Sequence, residues 1–408
     1  MRLYRNLVAA SINALQKIFS QNKLADQVVQ STLRSNKKWG SKDRRFLAAT
    51  IYNAVRWYRL YYEVYGKEPK TTNHWWHILG IMWLIEGNEL PPWEEFAELD
   101  NKHIENRYRE ISKIRKIKEA IPDWLDELGL YELGDRWEEC IKALNKTAQL
   151  VLRANTLKTS RMGFVNELKS KGIYTQLLDI PAGVVVPERR KLTNMPSYER
   201  GYFEIQDASS QKVAPFLEVE KGMYVVDACA GAGGKSLHIA ALMENRGRIL
   251  SLDVDNDRLC QLKKRAKRAA VTILKTQLIK SKKSILQLHD LADRLLLDVP
   301  CSGLGTLRRS PHIKWRLTPK LLKKTLSKQQ QILQDYAPIC KQGGKIVYAT
   351  CSILPCENHE QIKTFLNSSV GAGFTLVREQ VILPQEEGFD GFYMALMERK
   401  ATSLGSWD

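Results

Sequence analysis

The chain has 408 residues, too many for one ordinary domain and enough for two or three, each with its own core. At 44% hydrophobic and 26% charged residues it has the composition of a folded globular protein, which excludes a disordered or fibrous chain. The formal charge of +18, from 63 Lys+Arg against 45 Asp+Glu, points to a polyanionic partner, with nucleic acid the first candidate.

The opening stretch, "MRLYRNLVAASINALQKIFS", lacks a long apolar segment and a small-residue cleavage site, and reads as an amphipathic helix. Helical spacing continues in "DRRFLAATIYNAVRWYRLYYEVYG", where Phe46, Leu47, Ile51, Val55 and Tyr58 fall near one face, and in "TTNHWWHILGIMWLIEG". Eight of the ten tryptophans lie in the first 140 residues, which suits core and inter-helix packing. Residues 1–125 are expected to form an all-helical domain. Residues 126–205 hold a linker and a small α/β module: "LVLRANTLK" reads as a strand, "SRMGFVNELKSKG" as a helix, and "YTQLLDIPAGVVVPE" as strand again. From residue 206 to 408 strands and helices alternate, which implies a parallel, doubly wound sheet with its ligand at the carboxyl ends of the strands. No apolar run reaches about 18 residues, so no membrane helix is expected. The seven cysteines are an odd number and lack paired CxxC spacing, which suits a reduced, cytoplasmic protein with no metal.

"DACAGAGGKS" is the first candidate site. A phosphate-binding P-loop would need glycine where Cys229 stands, and the dinucleotide fingerprint breaks at Ser236. What remains is a strand ending in Asp227, a turn of small residues that lets a ligand approach the backbone, and a helix N-terminus. "LSLDVD" ends the next strand in Asp253, an acid placed for a ribose diol. A nucleoside ligand without a pyrophosphate fits, and S-adenosylmethionine is one.

Two further strands each end in a cysteine, "LLLDVPCSGLG" at Cys301 and "IVYATCSILPCEN" at Cys351. A thiolate can add to C6 of a pyrimidine and make C5 nucleophilic toward a sulfonium methyl. Asp298 stands near enough to Cys301 to serve N3 of the base, and for that it must be protonated or share a proton. One thiol would attack and the other assist release. Free cysteines are commonly plain core residues; two at one sheet edge, beside an acid and a glycine-rich turn, weigh against that.

At this point the chain resembles the RNA cytosine-C5 methyltransferases of the RsmB/NSUN type, which carry a Rossmann-like catalytic domain. "DACAGAGGK" and "LDVDNDRL" look like the family's cofactor motifs. "DVPCSGLGTLRRSPHIKW" and "YATCSILPCENHEQI" look like its proline-cysteine and threonine-cysteine motifs, and "GFDGFYMALMERK" like its closing strand pair. The resemblance implies that Cys351 is the nucleophile, that Cys301 assists release and that Asp298 contacts the cytosine. It assigns Cys229, Ala230, Gly231, Ala232, Gly233, Gly234, Lys235, Asp253, Arg258 and Asp298 to S-adenosylmethionine. "STLRSNKKWGSKDRRFLAATIYNAVRW" looks like the NusB-like helical domain of bacterial members acting on small-subunit ribosomal RNA, and "PDWLDEL" and "LRANTLK" like the linker and an RRM-like module. Three positions depart from the pattern. Gly231-Ala232 stands where Ala-Pro is usual; the adenine-side acid is missing from "VTILKTQLIKSKKS", where Gln277 is expected to substitute; and His312 replaces an acidic residue.

RNA is expected along Arg308, Arg309, Lys314 and Arg316, which follow the catalytic loop, and at Arg153, Asn155 and Lys158 in the small module. The stretch Gln261–His289 has nine Lys/Arg and no Asp/Glu, and suits phosphate contact or a solvated face. A cytosine must leave its stack to meet Cys351, so single-stranded or loop RNA is expected. The expectation is therefore a monomeric, S-adenosylmethionine-dependent methyltransferase acting on 16S ribosomal RNA. The alternatives are the same chemistry on transfer RNA, or a non-catalytic RNA-binding assembly protein.

Overall fold

The computed structural model describes residues 3–188 and 190–401. The chain divides into two units, residues 1–146 with 307–318, and residues 147–306 with 319–408.

The first unit is helical: α1 (Arg5–Phe19), α2 (Ala25–Ser35), α3 (Ser41–Arg56), α4 (Tyr58–Tyr65), α5 (Thr72–Ile85), α6 (Asn101–Ile111), α7 (Arg115–Lys118), α8 (Asp123–Leu133) and α9 (Arg136–Leu144). The others present one apolar face, but α5 buries Trp75, Trp76, Ile78, Leu79, Ile81, Met82 and Trp83 around its circumference, which makes it the central helix. Thr71 caps it, accepting a hydrogen bond from the His74 amide at 3.3 Å.

The helical unit extends past residue 125. Asn145, just beyond α9, donates to the Glu119 carbonyl at 2.8 Å, and Asp126 of α8 accepts from Arg115 of α7 and from the Trp137 indole. It also takes in Leu307–Thr318, the segment that follows the proline-cysteine loop. Two side chains explain this. The indole of Trp315 packs edge-on against Tyr58 and donates to the Val55 carbonyl at 2.6 Å. Lys314, fully buried, donates to the Arg56 carbonyl at 2.8 Å and to Asn145 Oδ1 at 3.0 Å. Burial, then the charge of Arg56, holds its amine well below the ordinary lysine range, against the pull of Glu119. A buried ammonium is costly unless so bonded. Ile313–Arg316 in this segment is the short helix α16.

The second unit contains two sheets. A four-stranded antiparallel sheet runs in the order β2-β3-β1-β4, from β1 (Leu150–Ala154), β2 (Gln176–Leu177), β3 (Gly183–Val186) and β4 (Phe203–Ile205). It is packed by α10 (Arg161–Ser170), with the short α11 (Pro196–Glu199) before β4, a ferredoxin-like arrangement. The larger sheet has seven strands in the order β10-β11-β9-β8-β5-β6-β7. Its strands are β5 (Tyr224–Asp227), β6 (Arg248–Asp253), β7 (Leu274–Leu278), β8 (Ala292–Asp298), β9 (Cys340–Thr350), β10 (Phe374–Ile382) and β11 (Phe392–Arg399). Strands β7, β6, β5, β8 and β9 are parallel neighbours, and β11 enters antiparallel between β9 and β10. The helices are α12 (Ala208–Phe216), α13 (Gly234–Leu242), α14 (Asn256–Arg268), α15 (Lys282–Leu286), α17 (Pro319–Tyr336), α18 (His359–Leu366) and α19 (Pro384–Glu387). Chain order reverses between β5 and β8, so the crevice of the sheet lies past Asp227 and Asp298. The two sheets form one unit because β4 is tied to α14: Glu204, buried, pairs with Arg265 at 2.8 Å and with Arg268. No described helix is long and apolar enough to cross a membrane.

Candidate active site

The turn after β5 is shaped by its small residues. Gly233 has φ of +85° and opens α13, and a Cβ there would lie 2.5 Å from Leu262. The Gly231 amide donates to Asp253 Oδ2 at 2.8 Å, which joins the turn to the tip of β6. Asp253 Oδ1 accepts from the Asp255 amide at 2.8 Å. Asp227 is buried at the end of β5 and accepts from the Ser236 hydroxyl at 2.6 Å. Burial pushes its carboxyl up to about 7, against that hydrogen bond. Burial, with the charges of Asp227, Asp298 and Asp253, pushes the Cys229 thiol up, so Cys229 is a neutral lining group.

S-adenosylmethionine fits these residues. The second carboxyl oxygen of Asp227, Oδ1, is buried with no partner among the described residues, and the space a Gly231 Cβ would enter is open. A turn without bulk, an unused buried acceptor and an acid at the next strand tip suit a nucleoside that carries an amino group.

The two cysteine loops meet next to this turn. Cys301 and Cys351 follow neighbouring strands β8 and β9, and their sulfurs are 3.3 Å apart. The Gly305 amide donates to the Cys351 carbonyl at 2.9 Å, and a side chain at Gly305 would collide with the Gly391 carbonyl. The hydrogen bond with Cys351, then burial, pushes the Cys301 thiol well above the ordinary range, so Cys301 is a neutral thiol. Lys235 Nζ lies 2.6 Å from Asp298 Oδ2. Burial would lower that amine, but Asp298 and Cys351 outweigh it and the pKa is raised, which keeps Lys235 an ammonium.

The structure brings together some of the residues expected from the sequence and separates others. Cys229 to Lys235, Asp253, Asp298, Cys301 and Cys351 come together at one edge. Gln277, half-buried on β7, sits in register with Leu252, one residue from Asp253. Arg258 is exposed on α14, 3.5 Å from Asp255.

Several expected RNA contacts are corrected by burial. Arg153 bonds Gln206 and the Gly234 carbonyl, the latter at 2.8 Å, and so braces the cofactor turn from β1. Asn155 donates to the Gly201 and Ala269 carbonyls at 2.8 and 2.9 Å. Lys314 is enclosed in the helical unit, and Arg308, also buried there, offers its carbonyl to Arg56 at 2.8 Å. His312 is buried too, and burial lowers its pKa. Arg309 is half-buried, while Lys158 and Arg316 are exposed. Within the basic stretch, Arg265 and Arg268 are spent on Glu204, whereas Lys263, Lys264 and Lys267 face solvent. A further basic row lies on α17, where Lys320, Lys324 and Lys328 are exposed at four-residue spacing. That spacing was visible in "PKLLKKTLSKQQQ".

A seven-stranded sheet of this order, with a small-residue turn at its crevice and an acid at the next strand tip, is that of S-adenosylmethionine-dependent methyltransferases. Residues 214–398 match the family model described as 16S rRNA methyltransferase RsmB/F, and residues 121–193 match its RsmF/B-like ferredoxin-like domain. The probable ribosomal RNA small subunit methyltransferase B of Synechocystis sp. is 35% identical over 303 residues, 69% of this chain and 67% of that protein. The ribosomal RNA small subunit methyltransferase B of Pasteurella multocida is 34% identical, over 68% of this chain and 65% of that protein. Among solved structures, PH0851 superposes with a TM-score of 0.83 at 23% identity, covering 98% of this chain and 100% of that one. NSun6 from Pyrococcus horikoshii, solved with SFG, gives 0.64 at 21% identity, covering 69% of this chain and 99% of that one. The chain belongs to the RsmB/F family of RNA methyltransferases, and S-adenosylmethionine is its methyl donor.

Proposed function

We propose that the protein methylates C5 of a cytosine in 16S ribosomal RNA, through a covalent bond between Cys351 and C6 of the base. The observation that carries this reading is the 3.3 Å approach of the Cys301 and Cys351 sulfurs beside the Lys235–Asp298 pair. The names of the relatives favour small-subunit ribosomal RNA over transfer RNA as substrate.

S-adenosylmethionine, when bound, supplies an electrophilic methyl group; Cys229 to Lys235 and Asp253 would hold it, with Gln277 on the adenine side. Cys351, as thiolate, adds to C6 and puts electron density on C5. Asp298 faces the N3/N4 edge of the base in this reading, with the Lys235 ammonium 2.6 Å from it as a charged proton donor. Cys301 can take the C5 proton only as a thiolate, so its own proton first passes to solvent; the C5–H electron pair then closes the C5–C6 double bond and Cys351 leaves C6 as thiolate. The helical unit, in this reading a NusB-like domain, selects the RNA, and the protein works as a cytoplasmic monomer with all seven cysteines free. Bisulfite mapping of total RNA from a strain lacking the protein tests the reading: one 16S cytosine should lose its protection. A lost site in transfer RNA alone would reassign the substrate, and no lost site would overturn the activity.

The α17 lysines extend the proposal to the RNA path. None of Lys320, Lys324 and Lys328 is ion-paired among the described residues, and Gln329, next along, donates to the Pro300 carbonyl at 3.0 Å beside Cys301. Changing all three to alanine should weaken binding to any single-stranded RNA. It should also flatten the plot of log affinity against log salt by about 2, since each lost single-strand phosphate contact removes roughly 0.7. A salt titration by fluorescence anisotropy with an unchanged slope would remove them from the path.

A further inference from the structure

The threonine-cysteine loop carries a group that the chemistry above leaves unused. Glu357, at the end of the short turn Pro355–Glu357, is fully buried. A carboxylate there must be hydrogen-bonded to persist. Its Oε1 accepts from the Ser302 amide at 2.7 Å and from Gln329 of α17 at 3.1 Å. Its Oε2 accepts from the Ser302 hydroxyl, and the Ser352 side chain is a further hydrogen-bond partner of the carboxylate. Burial, against those donors, pushes the carboxyl up.

The donors are not a random set. Ser302 directly follows Cys301 and Ser352 directly follows Cys351. The two hydroxyls are 3.3 Å apart, as are the two sulfurs. One carboxylate thus holds both Cys-Ser steps, and α17 braces it from behind. We propose that Glu357 is a positioning residue that keeps Cys301 and Cys351 in register for methyl transfer. This inference rests on the two-thiol reading of the site. Two loops on separate strands have no covalent tie, so the distance between their sulfurs depends on what bridges them. A buried anion with donors from both loops is such a bridge, and loosening it by about 1 Å would cost on the order of 10²-fold in rate.

The test is Glu357→Gln in the full chain, which keeps the shape but turns one acceptor oxygen into an amide that opposes the Ser302 donors. The expected result is kcat down about 10²-fold, with KM for RNA and S-adenosylmethionine within about threefold of wild type. Sulfur register is read separately with diamide, without RNA or methyl donor. The two thiols lose two protons and two electrons to form the Cys301–Cys351 disulfide, and diamide takes them up to become the hydrazine. Disulfide formation should be about tenfold slower in the variant. Because that readout is independent of turnover, slower crosslinking with no methylation in any form of the protein would overturn the function and spare this role. Unchanged kcat and unchanged crosslinking in a folded Glu357→Gln protein would overturn the role. Should that variant not fold, Ser302→Ala, which deletes the hydroxyl donor to Oε2, should slow both readouts in the same direction by about threefold or more; unchanged values there would overturn it equally.

Discussion

Cys351→Ala should abolish methyl transfer while RNA and S-adenosylmethionine still bind. The expected loss is on the order of 10⁶-fold, as when other covalent nucleophiles are removed. The physical reason is that C5 of cytosine is too electron-poor to accept a methyl group until a nucleophile has added at C6. The variant takes away the sulfur that Cys301 bonds at 3.3 Å, but burial and the charge of Glu357 still push the Cys301 thiol up, so it should not take over as nucleophile. Alanine at 351 removes only the sulfur. The backbone contact from the Gly305 amide to the residue 351 carbonyl, at 2.9 Å, is kept, so the loop should stay in place. Single-turnover transfer of labelled methyl from S-adenosylmethionine, alongside RNA binding by anisotropy, measures both halves. Turnover near wild type would move the nucleophile elsewhere.

Cys301→Ala should have the opposite signature: attack proceeds and release stalls. After methyl transfer the base still carries the Cys351 sulfur at C6 and a proton at C5, and elimination requires that proton to leave. Without the Cys301 sulfur the adduct should persist. It should appear as a protein–RNA species that survives denaturant and migrates above free protein on a gel. Turnover should fall on the order of 10²-fold to 10⁴-fold, the range for loss of a proton-transfer group. The double variant lacking both sulfurs should show no shifted band, which assigns the bond to Cys351. A gel with no adduct for Cys301→Ala alone would count against a role in release.

Much of the site is legible in the sequence, because its parts are local. Strand periodicity marked β5, β6, β8 and β9, alternation with helices implied parallel order, and in a parallel sheet all carboxyl ends lie on one edge. Asp227, Asp253, Asp298, Cys301 and Cys351 each stand at or just past a strand end, so their convergence followed from topology. Which cysteine attacks did not follow, since both have the same placement; the family resemblance supplied that.

The basic residues were less legible for a physical reason. A lysine or arginine has the same symbol whether it faces RNA, a carboxylate or a core carbonyl, and burial is set by elements far away in sequence. Arg153 closes on a carbonyl 81 positions later, and Lys314 on one 258 positions earlier. Glu357 was hidden likewise: "PCEN" reads as a polar turn, and only folding brings Ser302 and Gln329 to it.

By itself, then, the sequence determined the alternation of strands and helices, the small-residue cofactor turn and the two thiols at one edge, because these depend on local pattern and on the geometry every parallel sheet shares. Only the tertiary structure decided that Leu307–Thr318 belongs to the helical unit, that four of the seven expected RNA contacts are buried, and that one carboxylate holds both cysteine loops. Each of those depends on which distant backbone group meets a side chain, and no pattern along the chain encodes that meeting.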